Sequence, residues 1–113
     1  MRSFGILTLW FLLTFSAAHS ASLTGAELFA AKGCHICHGL EGRNPLSDSY
    51  PMLAGQNVPY LIQQLVDIKY GRRNNGLSPT MRTTLQFTSV DELRRIANYL
   101  GSLPTESAVT LPQ

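Results

Sequence analysis

Apolar residues in this chain fall into one unbroken run followed by three helical stripes. The run is N-terminal: Met1-Arg2 carries a single charge, Ser3 to Ala18 carries none, and small residues at Ala18 and Ser20 flank His19. That is the layout a signal peptidase reads. A retained membrane anchor is the competing reading, but the run is shorter than the ~20 residues a bilayer-spanning helix needs. Residues 1–20 therefore read as a signal peptide cleaved near Ser20.

Past the run, polar punctuation marks out helices. Thr24-Gly25-Ala26-Glu27 reads as a capping box opening a helix through Leu28, Phe29 and Ala30 to about Lys32, with Gly33 ending it. Asn57 offers an N-cap and Pro59 a first-turn proline. Tyr60, Leu61, Leu65, Ile68 and Tyr70 then recur at helical spacing up to Gly71. Ser89-Val90-Asp91-Glu92 is a second capping box, with Phe87 near the staple position, a stripe of Val90, Leu93, Ile96, Ala97 and Leu100, and Gly101 as the close. The first and last helices each present an apolar stripe, including Phe29 on one and Tyr99 or Leu100 on the other, and are expected to cross. Ser78-Pro79-Thr80-Met81 lies in an irregular segment rich in Asn, Gly and Pro.

Residues 21–103 make one small domain, of a size that buries only about 60% of its unfolded surface and is marginal without help. Pro104 to Gln113, with two prolines among small and polar residues, reads as a flexible tail. Once Arg2 is set aside, eight Lys and Arg face seven Asp and Glu with no long charge run. This balance lacks the concentrated basic face of a nucleic-acid binder.

The chemistry is concentrated in Cys34-His35-Ile36-Cys37-His38. C-x-x-C-H is the spacing at which two thiols on a short helical turn capture haem vinyl groups while the adjacent histidine binds iron. A zinc site needs two further ligands, yet both cysteines and both histidines beyond residue 20 lie in this pentapeptide. A thioredoxin-type dithiol would sit in a βαβ pattern, which is absent. The motif occurs once, so one haem c is expected, bound through Cys34 and Cys37.

His38 fills one axial position of the iron. His35, inside the attachment loop, cannot reach the other face, which leaves Met52, Met81 or an open position. Met81 is favoured because its irregular segment can fold over the distal face; Met52 is assigned the role of a core gap-filler. Lys69, Arg72 and Arg73 sit where the negative end of the middle helix favours cations. With Arg82 they offer a modest cationic rim for an acidic redox partner.

These residues resemble the class I c-type cytochromes, and within them the small bacterial monohaem cytochromes similar to one half of the tandem dihaem cytochromes c. The resemblance spans about residues 23 to 103. It rests on the haem motif with Gly39 and Gly42, Tyr50-Pro51-Met52-Leu53-Ala54-Gly55-Gln56, Tyr60-Leu61, Gln64-Leu65, Gly71-Arg72-Arg73, Met81 and Ile96-Ala97-Asn98-Tyr99-Leu100. It implies an all-α fold of three to five short helices around one haem, with the terminal helices crossed. It further implies His38 proximal and Met81 distal, Leu53 at the cofactor, and the Pro51 carbonyl accepting a hydrogen bond from the other imidazole nitrogen of His38. The tail after Pro104 is extra to the family pattern, and no second haem half follows.

The function expected is single-electron transfer between redox proteins in the periplasm by a carrier that is not itself an enzyme and meets membranes only through partner complexes. Two other readings remain: the haem subunit of a larger periplasmic dehydrogenase, or an open-site haem enzyme or gas sensor. Against the last stands the lack of a His, Arg and carboxylate constellation for acid–base peroxide chemistry, Arg82 being alone near Met81.

Overall fold

Capping chemistry sets where the helices begin. The computed structural model describes residues 21–105; the expected signal peptide (1–20) and the tail beyond Thr105 lie outside the described residues. In the first helix, α1 (Gly25–Ala31), the Thr24 hydroxyl accepts from the Glu27 amide at 3.2 Å and the Glu27 carboxylate accepts from the Thr24 amide at 2.8 Å. Gly33, in the left-handed region at φ 74°, then turns the chain into α2 (Cys34–His38). A short 3₁₀ turn follows at Leu40–Gly42. Asn57 caps α3 (Val58–Lys69) through the Tyr60 amide, with Pro59 in its first turn. After α4 (Ser78–Leu85), the reciprocal Ser89 and Glu92 bonds open α5 (Val90–Ser102). The described residues contain five α-helices and no strand, which bears out the all-α expectation.

The core joins these helices where their apolar stripes meet. Leu28 and Phe29 of α1, Leu61, Leu65 and Ile68 of α3, Leu85 of α4, and Leu93, Ile96, Ala97 and Leu100 of α5 form one buried cluster. The terminal helices α1 and α5 cross as expected, with the Phe29 and Tyr99 rings tilted at 59° and 6.0 Å apart. Gly25 makes the crossing close. A Cβ there would run into the Arg95 carbonyl oxygen and stand 2.7 Å from the Tyr99 Cβ, so the two backbones touch where no side chain intervenes. Lys32 adds an ion pair to Glu92 at 3.3 Å across the same interface. The partly exposed setting of that pair makes it a minor contributor.

Three expectations are corrected. Phe87 is not a staple: it is 78% exposed, and Thr88, adjacent to the Ser89 cap, is buried in its place. Gly101 does not end α5, which continues to Ser102; lacking a side chain, Gly101 instead lets the start of α3 approach, where a Cβ would collide with the Val58 side chain. Residues 78–85 are helical rather than irregular. Pro79 falls in the first turn, where its missing amide hydrogen costs nothing, and Leu85 anchors the far end in the core.

Replacing a helical glycine by alanine ordinarily gains about 0.5–1 kcal/mol. At Gly25 the sign reverses, because backbone atoms of α5 occupy the space. Gly25→Ala is expected to cost about 1–3 kcal/mol, read as a lowered guanidinium midpoint of the purified protein. An unchanged or raised midpoint would contradict the close crossing.

Candidate functional site

Because α2 is a single helical turn and a half, its residues at i, i+3 and i+4 share a face. Those residues are Cys34, Cys37 and His38, and all three line a cavity of about 370 Å³. No disulfide joins the two cysteines. Burial pushes the Cys34 thiol up to about 11. His38 is the buried member of α2, 7% exposed.

The loop after α2 fixes the imidazole. Gly39 adopts φ 81° and ψ 169°, a combination open only to glycine, and its Cβ position is taken by the backbone of Asn44. The Leu46 amide donates to the Cys37 carbonyl at 2.9 Å, and the Leu53 and Ala54 amides both donate to the Gly42 carbonyl. The loop so held brings the Pro51 carbonyl oxygen to 2.9 Å from His38 Nδ1. A carbonyl can only accept, so Nδ1 carries a proton, and in the neutral imidazole the lone pair is on Nε2. The Tyr50 ring meets the imidazole edge-on at 6.1 Å and completes the support.

The remaining walls come from α3, α4 and α5. Leu61, Leu65 and Ile68 of α3 and Leu100 of α5 give an apolar floor, joined by Leu53 from the loop. Helix α4 packs on α3 and contributes Met81, Ser78, Thr80, Thr84 and Leu85 to the lining. Met52 does not line the cavity and is 43% exposed, so it is a surface residue and not the core gap-filler expected. The cavity thus gathers two thiols, an imidazole with a free ring nitrogen, a thioether and an apolar floor. This donor set fits a covalently attached porphyrin, and the residues Cys34, Cys37, His38, Pro51, Leu53 and Met81 are brought together around the one space.

Arg73 is a lining residue that sequence reasoning assigned elsewhere. Its Nη1 donates to the Gln64 side chain at 2.9 Å and its amide to the Asp67 carbonyl, which turns it toward the cavity. The other three cations of the expected rim are likewise engaged within the chain. Lys69 Nζ donates to the Leu85 and Gln86 carbonyls, and Arg82 Nε to the Lys69 carbonyl. Arg72 pairs with Asp67 at 2.7 Å and lies 5.5 Å from the Tyr70 ring centre. Hydrogen bonds from Gln63 and Arg72 hold the Asp67 carboxyl below its ordinary range. These pairings span nine to 17 positions for Arg73 and Lys69, and no local motif announces them.

Comparison with known proteins places the chain in a family. The family model described as Cytochrome c matches residues 22–104. Cytochrome c4 of Pseudomonas aeruginosa is 38% identical over 85 residues, covering 75% of this chain and 40% of that protein. Cytochrome c4 of Azotobacter vinelandii is 36% identical over 102 residues, covering 85% and 48%. A protein named thiosulfate dehydrogenase electron acceptor, from Stutzerimonas stutzeri, is 32% identical over 75 residues, covering 66% and 33%. The chain therefore spans less than half the length of the curated relatives it matches.

Gly39→Ala should disrupt the loop that presents Pro51 to His38. The expected cost is about 1–3 kcal/mol from the backbone conformation alone, visible as a lower melting temperature and reduced yield of haem-loaded protein. Wild-type melting would contradict the assigned loop geometry.

Proposed function

Because the chain belongs to the cytochrome c family, whose cofactor is covalently bound haem c, we propose that it carries single electrons between redox proteins through one haem held by Cys34 and Cys37, with His38 and Met81 as axial ligands. The observation that carries this reading is the placement of His38 and Met81 in the lining of one cavity, on α2 and on α4. When bound, the haem supplies the one-electron iron couple; the chain supplies position, tuning and exclusion. His38 is oriented by Pro51, and a hydrogen bond from the far ring nitrogen raises the basicity of the ligating one. Met81 opposite it raises the reduction potential relative to two nitrogen ligands. The apolar floor of Leu53, Leu61, Leu65 and Ile68 disfavours the more charged oxidised state and so acts in the same direction. His38 and Met81 together would hold the iron from both sides and leave dioxygen and peroxide no vacant site, which supports a carrier over an enzyme.

Electrons would enter and leave where the cavity opens. Tyr60 and Leu77 line it yet remain 53% and 46% exposed, marking its mouth. Of the four rim cations, Arg72 and Arg82 stay exposed while Lys69 and Arg73 are partly covered. A weak electrostatic contribution to docking accordingly falls to Arg72, because the Arg82 guanidinium is engaged with the Lys69 carbonyl. The relative named as an electron acceptor of thiosulfate dehydrogenase supports a periplasmic dehydrogenase as donor, whether as a passing partner or as a complex that includes this chain. Residues 1–20 serve as the export signal, residues 21–103 as the haem domain, and residues 104–113 as a tail. Sequencing the N-terminus of the protein from a periplasmic extract checks the first boundary, and Ala21 is the residue expected.

Two substitutions separate the ligand candidates. Met81→Ala is expected to abolish the sulfur-to-ferric charge-transfer band and to let the reduced protein bind carbon monoxide, with a lowered potential; Met52→Ala is expected to do neither. The reverse pattern would transfer the ligand role to Met52. In film voltammetry the wild-type protein should give one reversible one-electron wave and no catalytic current with peroxide. A catalytic current would favour the open-site reading.

A further inference from the structure

The negative ends of α3 and α4 converge. A helix leaves its last carbonyls without intrahelical partners, and they carry about half a negative charge. Lys69, the last residue of α3, donates from Nζ to the Leu85 and Gln86 carbonyls that end α4, at 3.1 and 3.2 Å. Arg82, on α4, donates from Nε to the Lys69 carbonyl that ends α3, at 3.3 Å. Each helix thus supplies the cation that covers the other's end. Gly71 makes room for the exchange, since a Cβ there would stand 2.8 Å from Arg82 Nη1.

We propose that Lys69 and Arg82 form a reciprocal clasp whose task is to hold Met81 on the haem iron, which makes them positioning residues rather than partner-docking ones. The inference rests on the reading of Met81 as the distal ligand. Met81 immediately precedes Arg82, and neighbouring residues on a helix point about 100° apart. Anchoring Arg82 to the end of α3 therefore fixes the rotation of α4 about its axis, and with it the direction of the thioether. Buried Ser78 and Leu85, three before and four after Met81, turn the same face inward, and the clasp adds the polar anchor on its flank. At eight residues α4 is too short to be stable by itself. It begins at Leu77 with no side-chain cap, and within it only Ser78 and Leu85 are buried. Lys69 pins the far end and Arg82 the middle.

The test uses haem-loaded wild type with Lys69→Met, Arg82→Gln, Lys69→Arg and, as control, Arg94→Gln on the exposed face of α5. Two quantities are read: carbon monoxide affinity of the reduced protein, and the temperatures at which the sulfur-to-ferric band and the far-ultraviolet helix signal are lost. In wild type and Arg94→Gln the two signals should disappear together. In Lys69→Met and Arg82→Gln the band should be lost well before the helix signal, and carbon monoxide should bind about tenfold tighter or more, the scale of one charged hydrogen bond. Lys69→Arg, which can still donate to both carbonyls, should behave as wild type. Variants that merely melt earlier, losing band and helix together with unchanged carbon monoxide affinity, would overturn the clasp and leave a stability role. So would a Lys69→Arg protein as impaired as Lys69→Met. A wild-type protein without the band would sink the Met81 reading itself, and this failure is visible before any variant is made.

Discussion

The structure depends on a shared cavity lined in part by its two least self-sufficient helices, α2 and α4. With five residues, α2 cannot sustain helical structure alone, and α4 with eight is little better placed. What α2 has instead is the glycine-only corner at Gly39, the loop bonds to Cys37 and Gly42, and the His38 to Pro51 hydrogen bond. A haem joined to α2 through Cys34 and Cys37, and held by Met81 as proposed, would tie these two helices together. On the proposed ligation, geometry and stability would be one problem: whatever loosened either helix would also loosen an iron ligand.

The rest of the molecule acts as a frame for that space. The α1–α5 crossing, made close by Gly25 and sealed by Phe29 and Tyr99, holds Cys34 at a fixed point just beyond α1. Helix α3 lies on α5 and offers Leu61, Leu65 and Ile68 both to the core and to the cavity floor. The same leucines therefore stabilise the fold and surround the cofactor with apolar material. Among the polar residues that share the lining, Arg73 brings a guanidinium, held at the cavity by Gln64.

Features written in neighbouring residues were legible from sequence. Both capping boxes, the Asn57 cap and the haem motif need only residues within a turn of one another, and all three caps form as read. Helix α4 was not legible. Its stretch of Ser, Pro and Thr has a weak apolar pattern, and its stability comes from Leu85 and from a lysine 16 positions away. The internal partners of Lys69, Arg73 and Arg82 were not legible, because a side chain's charge is evident in sequence and the carbonyl or amide it meets is not. Phe87 failed as a staple for a related reason: the sequence offers a hydrophobe near the right spot, but the buried position before the cap went to Thr88. Met52 shows the limit for single residues, since composition suggests a core methionine and the loop geometry leaves it in solvent.

The central claim is that the iron is closed on both faces by this chain, with nitrogen from His38 and sulfur from Met81. X-ray absorption at the iron edge of the oxidised, haem-loaded protein tests it most directly. A first coordination shell containing one sulfur among nitrogens is the predicted result. A shell without sulfur would contradict the account and return the distal position to a substrate or gas.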